Sequence, residues 1–273
     1  MAHSSRENNL GFGRGRLVQT ITWTGILFLY VPILILIIYS FNESRFASQW
    51  GGFSFKWYRI MFADRSLWMA FRNTLIIASA NTIISTVLGT LAALALSRNR
   101  FKWSGVYHTV LHMPIIIPDI VQAVSLLMLF VFLNITLGLV SVVLAHVSFS
   151  ISFVALVVMA RLSGLDRSLE EAAMDLGANR WQTFWKVTLP NIFPGIVAGA
   201  LLAFTLSIDD FVITFFTSGV GSTTLPLKIY SMIKFGITPE INAISTLLVL
   251  FSVLAVLAIN VFERKPREHM EEA

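Results

Sequence analysis

Long apolar runs, rather than alternation or amphipathic periodicity, dominate the pattern along the chain. A helix that crosses a bilayer needs about 20 mostly apolar residues, because the hydrocarbon core is about 30 Å thick and each residue rises about 1.5 Å. Six stretches reach that length: Val18–Ser40, Phe71–Ser97, Tyr107–Leu133, Gly138–Ala160, Asn191–Phe216 and Pro239–Phe262. The pattern therefore predicts an all-α membrane protein with six transmembrane helices. A tail over 1–17 precedes a membrane domain over 18–262, and a second tail covers 263–273. Residues Asn134 to Leu137 leave room only for a tight hairpin between the third and fourth spans. The first span is too long for a signal-peptide core and lacks a small-x-small cleavage site after it, so it is expected to remain as a helix.

Composition agrees with the pattern and removes several functions. Hydrophobic residues make up 56% of the chain and charged residues 13%, against about 25% charged in a soluble protein. A soluble enzyme is excluded, and membrane lipid is the main solvent. There are 0 cysteines, which removes disulfides, thiolate metal sites and cysteine nucleophiles. The net charge of +5 fits basic loops at a membrane surface better than nucleic-acid binding, and no nucleic-acid partner is expected. Arg6, Arg14, Arg16, Arg98, Arg100, Lys102, Arg161, Arg167, Arg180, Lys186, Arg264, Lys265 and Arg267 fall on one side. Only Arg45, Lys56, Arg59, Arg65, Arg72, Lys228 and Lys234 fall on the other. Thirteen against seven places both termini in the cytoplasm.

The longest internal cytoplasmic segment, about 161–190, reads as two short helices. Ser168 with Glu171 has capping-box spacing, Gly177 is a stop in the left-handed region, Asn179 with Gln182 starts again, and Leu189-Pro190 ends the second helix. Leu169, Ala172, Ala173 and Leu176 share one helical face, and Trp181, Phe184 and Trp185 repeat the spacing. Periodicity alone admits two readings: a connector folded onto its own helix ends, or a docking element for a cytoplasmic partner.

Glu171-Ala172-Ala173, Gly177, Val187 and Leu189-Pro190 reproduce the spacing E-A-A-x3-G-x9-I-x-L-P, with Val in place of Ile. This resembles the EAA motif of permease subunits of ABC importers. Further stretches narrow the resemblance: Phe41-Asn42 with Ser44 and Trp50, Met113-Pro114 to Val121, Phe204 to Asp210, and Leu225 to Met232 with Pro239 to Ala243. These are similar to the second permease of spermidine/putrescine importers. The resemblance implies a type I ABC importer permease fold in the bacterial cytoplasmic (inner) membrane, forming half of a polyamine pathway. It also implies a related second permease, an ATPase dimer carrying ATP and Mg, and an extracytoplasmic solute-binding protein. Glu171, Ala172, Ala173, Gly177, Leu189 and Pro190 would then couple the chain to the ATPase.

Ionisable residues at membrane depth cost about 2.5 to 3.5 kcal/mol each and need a reason. Asp119 is reckoned about 18 Å into the third span from the cytoplasmic side, after Pro114 and Pro118. Asp209 and Asp210 lie about 27 Å along the fifth span, and Glu240 opens the sixth. One reading makes these carboxylates an acidic descent for a polycation, with Trp50 adding a cation–π face. The other makes Asp119 a partner for backbone donors freed by the prolines, Glu240 a helix-capping group, Trp50 a membrane anchor, and Asp209 and Asp210 wet interface. The repulsion between adjacent carboxylates favours the first reading at Asp209 and Asp210.

Other features carry less chemistry. His108 and His112 have the spacing of a metal pair but no third ligand, so no metal site is expected. Gly195, Gly199 and Ala203 form a small-residue face for helix packing. No Lys follows a Gly, so the phosphate-binding loop of ATPases is absent and the chain is expected to bind no cofactor and to catalyse nothing itself. The rival to a transport subunit is a self-sufficient secondary transporter of a cationic solute, which normally shows internal repeats and coupling-ion sites in broken helices; six spans with one cytoplasmic docking motif fit it poorly.

Overall fold

The computed structural model describes residues 7–45, 49–98, 102–236, 239–250 and 253. Among them every regular element is helical, and the one strand-like pairing is an isolated bridge between Asn42 and Phe53. The far part of the sixth predicted span beyond Leu250, apart from residue 253, lies outside the described residues. So do the C-terminal tail, the first residues of the N-terminal tail and Arg100. The chain divides into two units, Arg65–Tyr230 and the segments on either side of it.

The larger unit is built on three long helices, α3 (Arg65–Arg98), α6 (Leu139–Ser163) and α9 (Leu189–Asp209), each packed on the other two. In lipid the hydrophobic effect does little to join helices, so close van der Waals fit must do it. Small residues supply that fit. A Cβ on Gly89 would stand 2.7 Å from the Val154 Cβ, one on Gly195 2.7 Å from the Arg161 Cβ, and one on Gly199 3.2 Å from the Val154 Cγ1. Ala93, Ala155 and Ala203 are fully buried beside Val154 and Val158. The predicted face of Gly195, Gly199 and Ala203 thus packs against α6 and α3. At the same crossing Asn81 Nδ2 donates to Ser150 Oγ at 3.0 Å and to the Ala203 carbonyl at 3.2 Å, tying all three helices together.

The third predicted span is not one helix. It consists of α4 (Ser104–Ile116) and α5 (Asp119–Phe132), bent by 110° at Ile117-Pro118. Pro118 has no N–H to continue the ladder and forces the residue before it out of the helical region, and Ile117 is accordingly extended at ψ 130. The depth reckoned for Asp119 along a straight helix therefore does not hold. The hairpin after α5 forms as expected: Asn134 takes φ 54, the left-handed conformation that asparagine tolerates.

Two further boundaries differ. The predicted fifth span ended at Phe216, but α9 stops at Asp209, and a separate short helix, α10 (Val212–Thr217), follows. At the other end Leu189-Pro190 does not terminate the preceding helix. A short α8 (Arg180–Thr183) runs through a π turn (Phe184–Thr188) directly into α9. The Leu189 N–H bonds to the Phe184 carbonyl, and this wider turn lets the chain pass Pro190 without a helix break.

In the smaller unit α1 (Glu7–Tyr39) includes the first span, and α2 (Lys56–Ala63) follows a loop organised around Asn42. Asn42 is fully buried, its Nδ2 donates to the Gln49 carbonyl at 2.7 Å, its Oδ1 accepts from Gly51 N at 2.8 Å, and its carbonyl accepts from Trp57 Nε1 at 2.8 Å. Val18–Tyr39 exposes its apolar surface, with Phe28 77% and Trp23 70% accessible, as a helix solvated by lipid does. A helix α11 (Leu225–Phe235) and a shorter apolar helix α12 (Pro239–Leu250) complete the described chain.

Candidate transport and coupling sites

Asp209 and Asp210 stand at the end of α9. The two side chains have separate surroundings. Asp210 accepts from Thr214 N at 2.8 Å, Thr214 Oγ1 at 2.8 Å and Ile213 N at 3.3 Å, so it caps α10 and causes the helix break. His146, fully buried on α6, brings Nε2 to 3.2 Å from Asp210 Oδ2 and 3.0 Å from Thr214 Oγ1, while Nδ1 lies 2.7 Å from Ser207 Oγ. Thr214 gives its hydroxyl proton to Asp210, so His146 Nε2 must carry a proton. In the neutral ring Ser207 then donates to Nδ1. Asp209, by contrast, is exposed.

This node is seated on an apolar cluster in which Ile213 of α10 packs with Ala123 and Phe130 of α5 and Ala145 and Phe149 of α6. The loop after α10 is tied down as well. Ser141 Oγ donates to the Thr217 carbonyl at 2.7 Å, Asn73 Nδ2 donates to the carbonyls of Gly221 and Thr223 at 2.9 and 3.0 Å, and Leu225 N donates to Thr74 Oγ1 at 2.8 Å. A Cβ on Gly219 would fall 2.0 Å from the Leu137 carbonyl oxygen, so only glycine fits there. The end of the bundle bearing Asp209 is held by hydrogen bonds to α3, α6 and α10.

The other acidic positions lie on separate elements. Asp119 is exposed at the first position of α5, where the free N–H groups and dipole of a helix N-terminus favour a carboxylate. Glu240 sits in the first turn of α12, and Trp50 is half-exposed with its ring edge-on to Tyr39 at 6.0 Å between centroids. His146 was missed in the sequence. Its signal was available, since it is a lone ionisable residue inside the apolar run that forms α6.

At the opposite end of α9, α7 (Ser168–Asp175) and α8 form the predicted pair of short helices. The Asn179–Gln182 capping box is present, with bonds of 2.9 and 3.0 Å. The Ser168–Glu171 box is not. Asp166 takes its place, accepting from Ser168 N at 2.9 Å, and that N–H holds its carboxyl below the usual carboxylate range. Gly177 has φ 91, the left-handed stop expected of it. Leu169, Ala172 and Leu176 are exposed, Leu176 at 91%, and Glu171 is exposed beside them. Behind this face a groove of about 570 Å³ is lined in part by Ser97, Leu162, Arg167, Glu170, Glu171 and Arg180. This end of α7 thus exposes apolar side chains with an acidic one beside them.

His108 and His112 stack at 6.1 Å, with His112 Nδ1 2.6 Å from the His108 carbonyl, and among the described residues no group of three or more His, Cys, Asp or Glu could hold a metal.

The sequence profile of the binding-protein-dependent transport system inner membrane component family matches residues 85–267. The chain belongs to this family. The permease is 44% identical over 248 residues to the putrescine transport system permease protein PotI of Escherichia coli (strain K12), covering 88% of each chain. It is 42% identical over 251 residues to the spermidine/putrescine transport system permease protein PotC of the same organism, covering 92% of this chain and 95% of that one. Its fold is that of a chain from a bacterial ABC transporter that imports the acidic polysaccharide alginate, with a TM-score of 0.71 at 16% identity over 97% and 99% of the two chains. The permease is thus an inner-membrane transport subunit with the all-helical fold of an ABC importer permease.

Proposed function

We propose that this permease forms half of the membrane pathway for a polyamine such as spermidine or putrescine. The reading is carried by one observation: identity of 44% and 42% to two permeases named for those solutes, over about nine-tenths of the chain. A related permease supplies the other half. A solute-binding protein, the partner for which the family is named, delivers the polyamine from outside. Two ATPase subunits holding ATP and Mg drive the cycle from the cytoplasm, where the bias of basic residues sets both termini.

The chemistry divides along α9. At the outer end Asp209 offers an exposed carboxylate to an ammonium group, with Asp119, Glu240 and Trp50 as further contacts along the path, while Asp210 shapes the break that presents Asp209. At the inner end Glu171, Ala172, Ala173 and Gly177 form the face that seats on an ATPase, and Leu189-Pro190 join it to the span. Purification with its neighbours tests the assignment. Co-elution with an ATPase and a second permease, together with ATP-driven putrescine uptake in proteoliposomes, is the expected result. Putrescine uptake by this chain alone would replace it with a secondary transporter.

A further inference from the structure

Glu170 and Glu171 are neighbours in α7, yet they meet different surroundings. Glu171 is exposed, whereas Glu170 is half-buried and accepts a hydrogen bond from the Thr188 hydroxyl. Thr188 is fully buried and is the last residue of the π turn that leads into α9. From there the links continue: Asn191 Nδ2 donates to the Val187 carbonyl at 2.7 Å, and Arg161 Nε, at the end of α6, donates to the Asn191 carbonyl at 3.0 Å. Gly195 lets α9 lie directly against the Arg161 stem. A continuous set of contacts therefore runs from α7, through the π turn, into both α9 and α6. The turn is where the register of this path changes, because its hydrogen bonds are wider than those of the helix on either side.

We infer that Glu170 and Thr188 are positioning residues for energy coupling: their hydrogen bond ties α7 to the start of α9, so that displacement of α7 moves the span with it. The inference rests on the proposed docking of α7 to an ATPase. A force applied to the exposed face of α7 reaches the membrane only if α7 cannot slip on the π turn. α7 packs on α8 and the π turn, and the Glu170–Thr188 bond is a side-chain tie across that contact. Adjacent glutamates thus have separate tasks, with Glu171 facing the partner and Glu170 facing the span.

Thr188→Val removes the hydroxyl and keeps the side-chain shape, Thr188→Ser keeps the hydroxyl, and Glu170→Ala removes the acceptor. In the reconstituted complex the readouts are ATP hydrolysed per putrescine imported, retention of the ATPase during purification, and yield. Thr188→Val and Glu170→Ala are expected to raise the ATP consumed per putrescine at least threefold with the ATPase still bound, and Thr188→Ser is expected to match the wild type. An unchanged ratio in Thr188→Val overturns the inference, and so does a lower yield with an unchanged ratio, which would make the bond a folding contact. The docking reading fails separately, through normal ATPase retention and a normal ratio in Glu171→Lys.

Discussion

His146 Nε2 lies 3.2 Å from Asp210 Oδ2, the histidine fully buried and the aspartate side chain 10% exposed. This contact separates two adjacent carboxylates that look equivalent in the sequence. Asp210 is engaged by His146, Thr214 and Ile213, while Asp209 is left open at the end of the span.

The first prediction follows from that division. Asp209→Asn preserves volume and removes one exposed charge, so it should reduce putrescine uptake while leaving the yield of assembled complex unchanged. Asp210→Ala should instead lower the yield, because it strands the Thr214 N–H and removes the acceptor of the Thr214 hydroxyl, at about 1 to 3 kcal/mol for a buried unpaired group. Uptake and detergent-extracted yield, measured together, separate the two effects. Normal uptake by Asp209→Asn would remove that residue from the polycation path.

His146→Phe keeps a planar ring and deletes both nitrogens, so Ser207 loses its acceptor and Thr214 keeps only its bond to Asp210. The expected loss is about 1 to 3 kcal/mol in thermal unfolding of the complex, with His146→Gln less affected because an amide can serve one of the two hydroxyls. Equal melting temperatures for the wild type and His146→Phe would show that the node contributes nothing to holding α10.

Close helix crossings give a steric prediction. Gly89→Val and Gly195→Val would drive side chains into Val154 and Arg161 at contacts where a Cβ alone already stands at 2.7 Å. Overpacking of this kind costs about 1 to 3 kcal/mol, and both variants should insert normally but assemble poorly. Gly105→Val, with nothing within 4 Å of its Cβ, is the control expected to behave as wild type.

Four of the spans were legible as single long helices among the described residues, because bilayer thickness imposes a length that composition alone reveals. The two short helices between α6 and α9 were legible because Gly177 and the Asn179–Gln182 cap act locally, through φ and neighbouring N–H groups. What sequence reasoning missed depends on tertiary partners. The break at Asp210 needs Thr214 and His146 to hold it, and the latter is 64 residues distant, from 146 to 210. The bend at Pro118 carried a visible signal, but an apolar run does not say whether a proline merely kinks a span or turns it through 110°. At α7, Asp166 displaced the expected Ser168 cap because its oxygen reaches the Ser168 N–H first. The Glu170–Thr188 bond bridges 18 residues and leaves no periodic trace.

The last prediction concerns Asp119, whose two readings the structure makes experimentally distinct. It opens α5 directly after Pro118, exposed, beside N–H groups that no preceding turn can satisfy. If its role is to complement that helix end, Asp119→Asn should lower stability by about 0.3 to 1 kcal/mol, because the volume is kept and the charge–dipole attraction is lost. Asp119→Lys should be worse than Asp119→Asn in thermal unfolding, since a cation there opposes the dipole, and the difference should shrink as salt rises. If Asp119 contacts the polycation instead, Asp119→Asn should reduce putrescine uptake at unchanged yield, and Asp119→Glu should recover most of it. Reduced stability with wild-type uptake per assembled complex would assign Asp119 to the bend, leaving Asp209 as the leading acidic contact in the path.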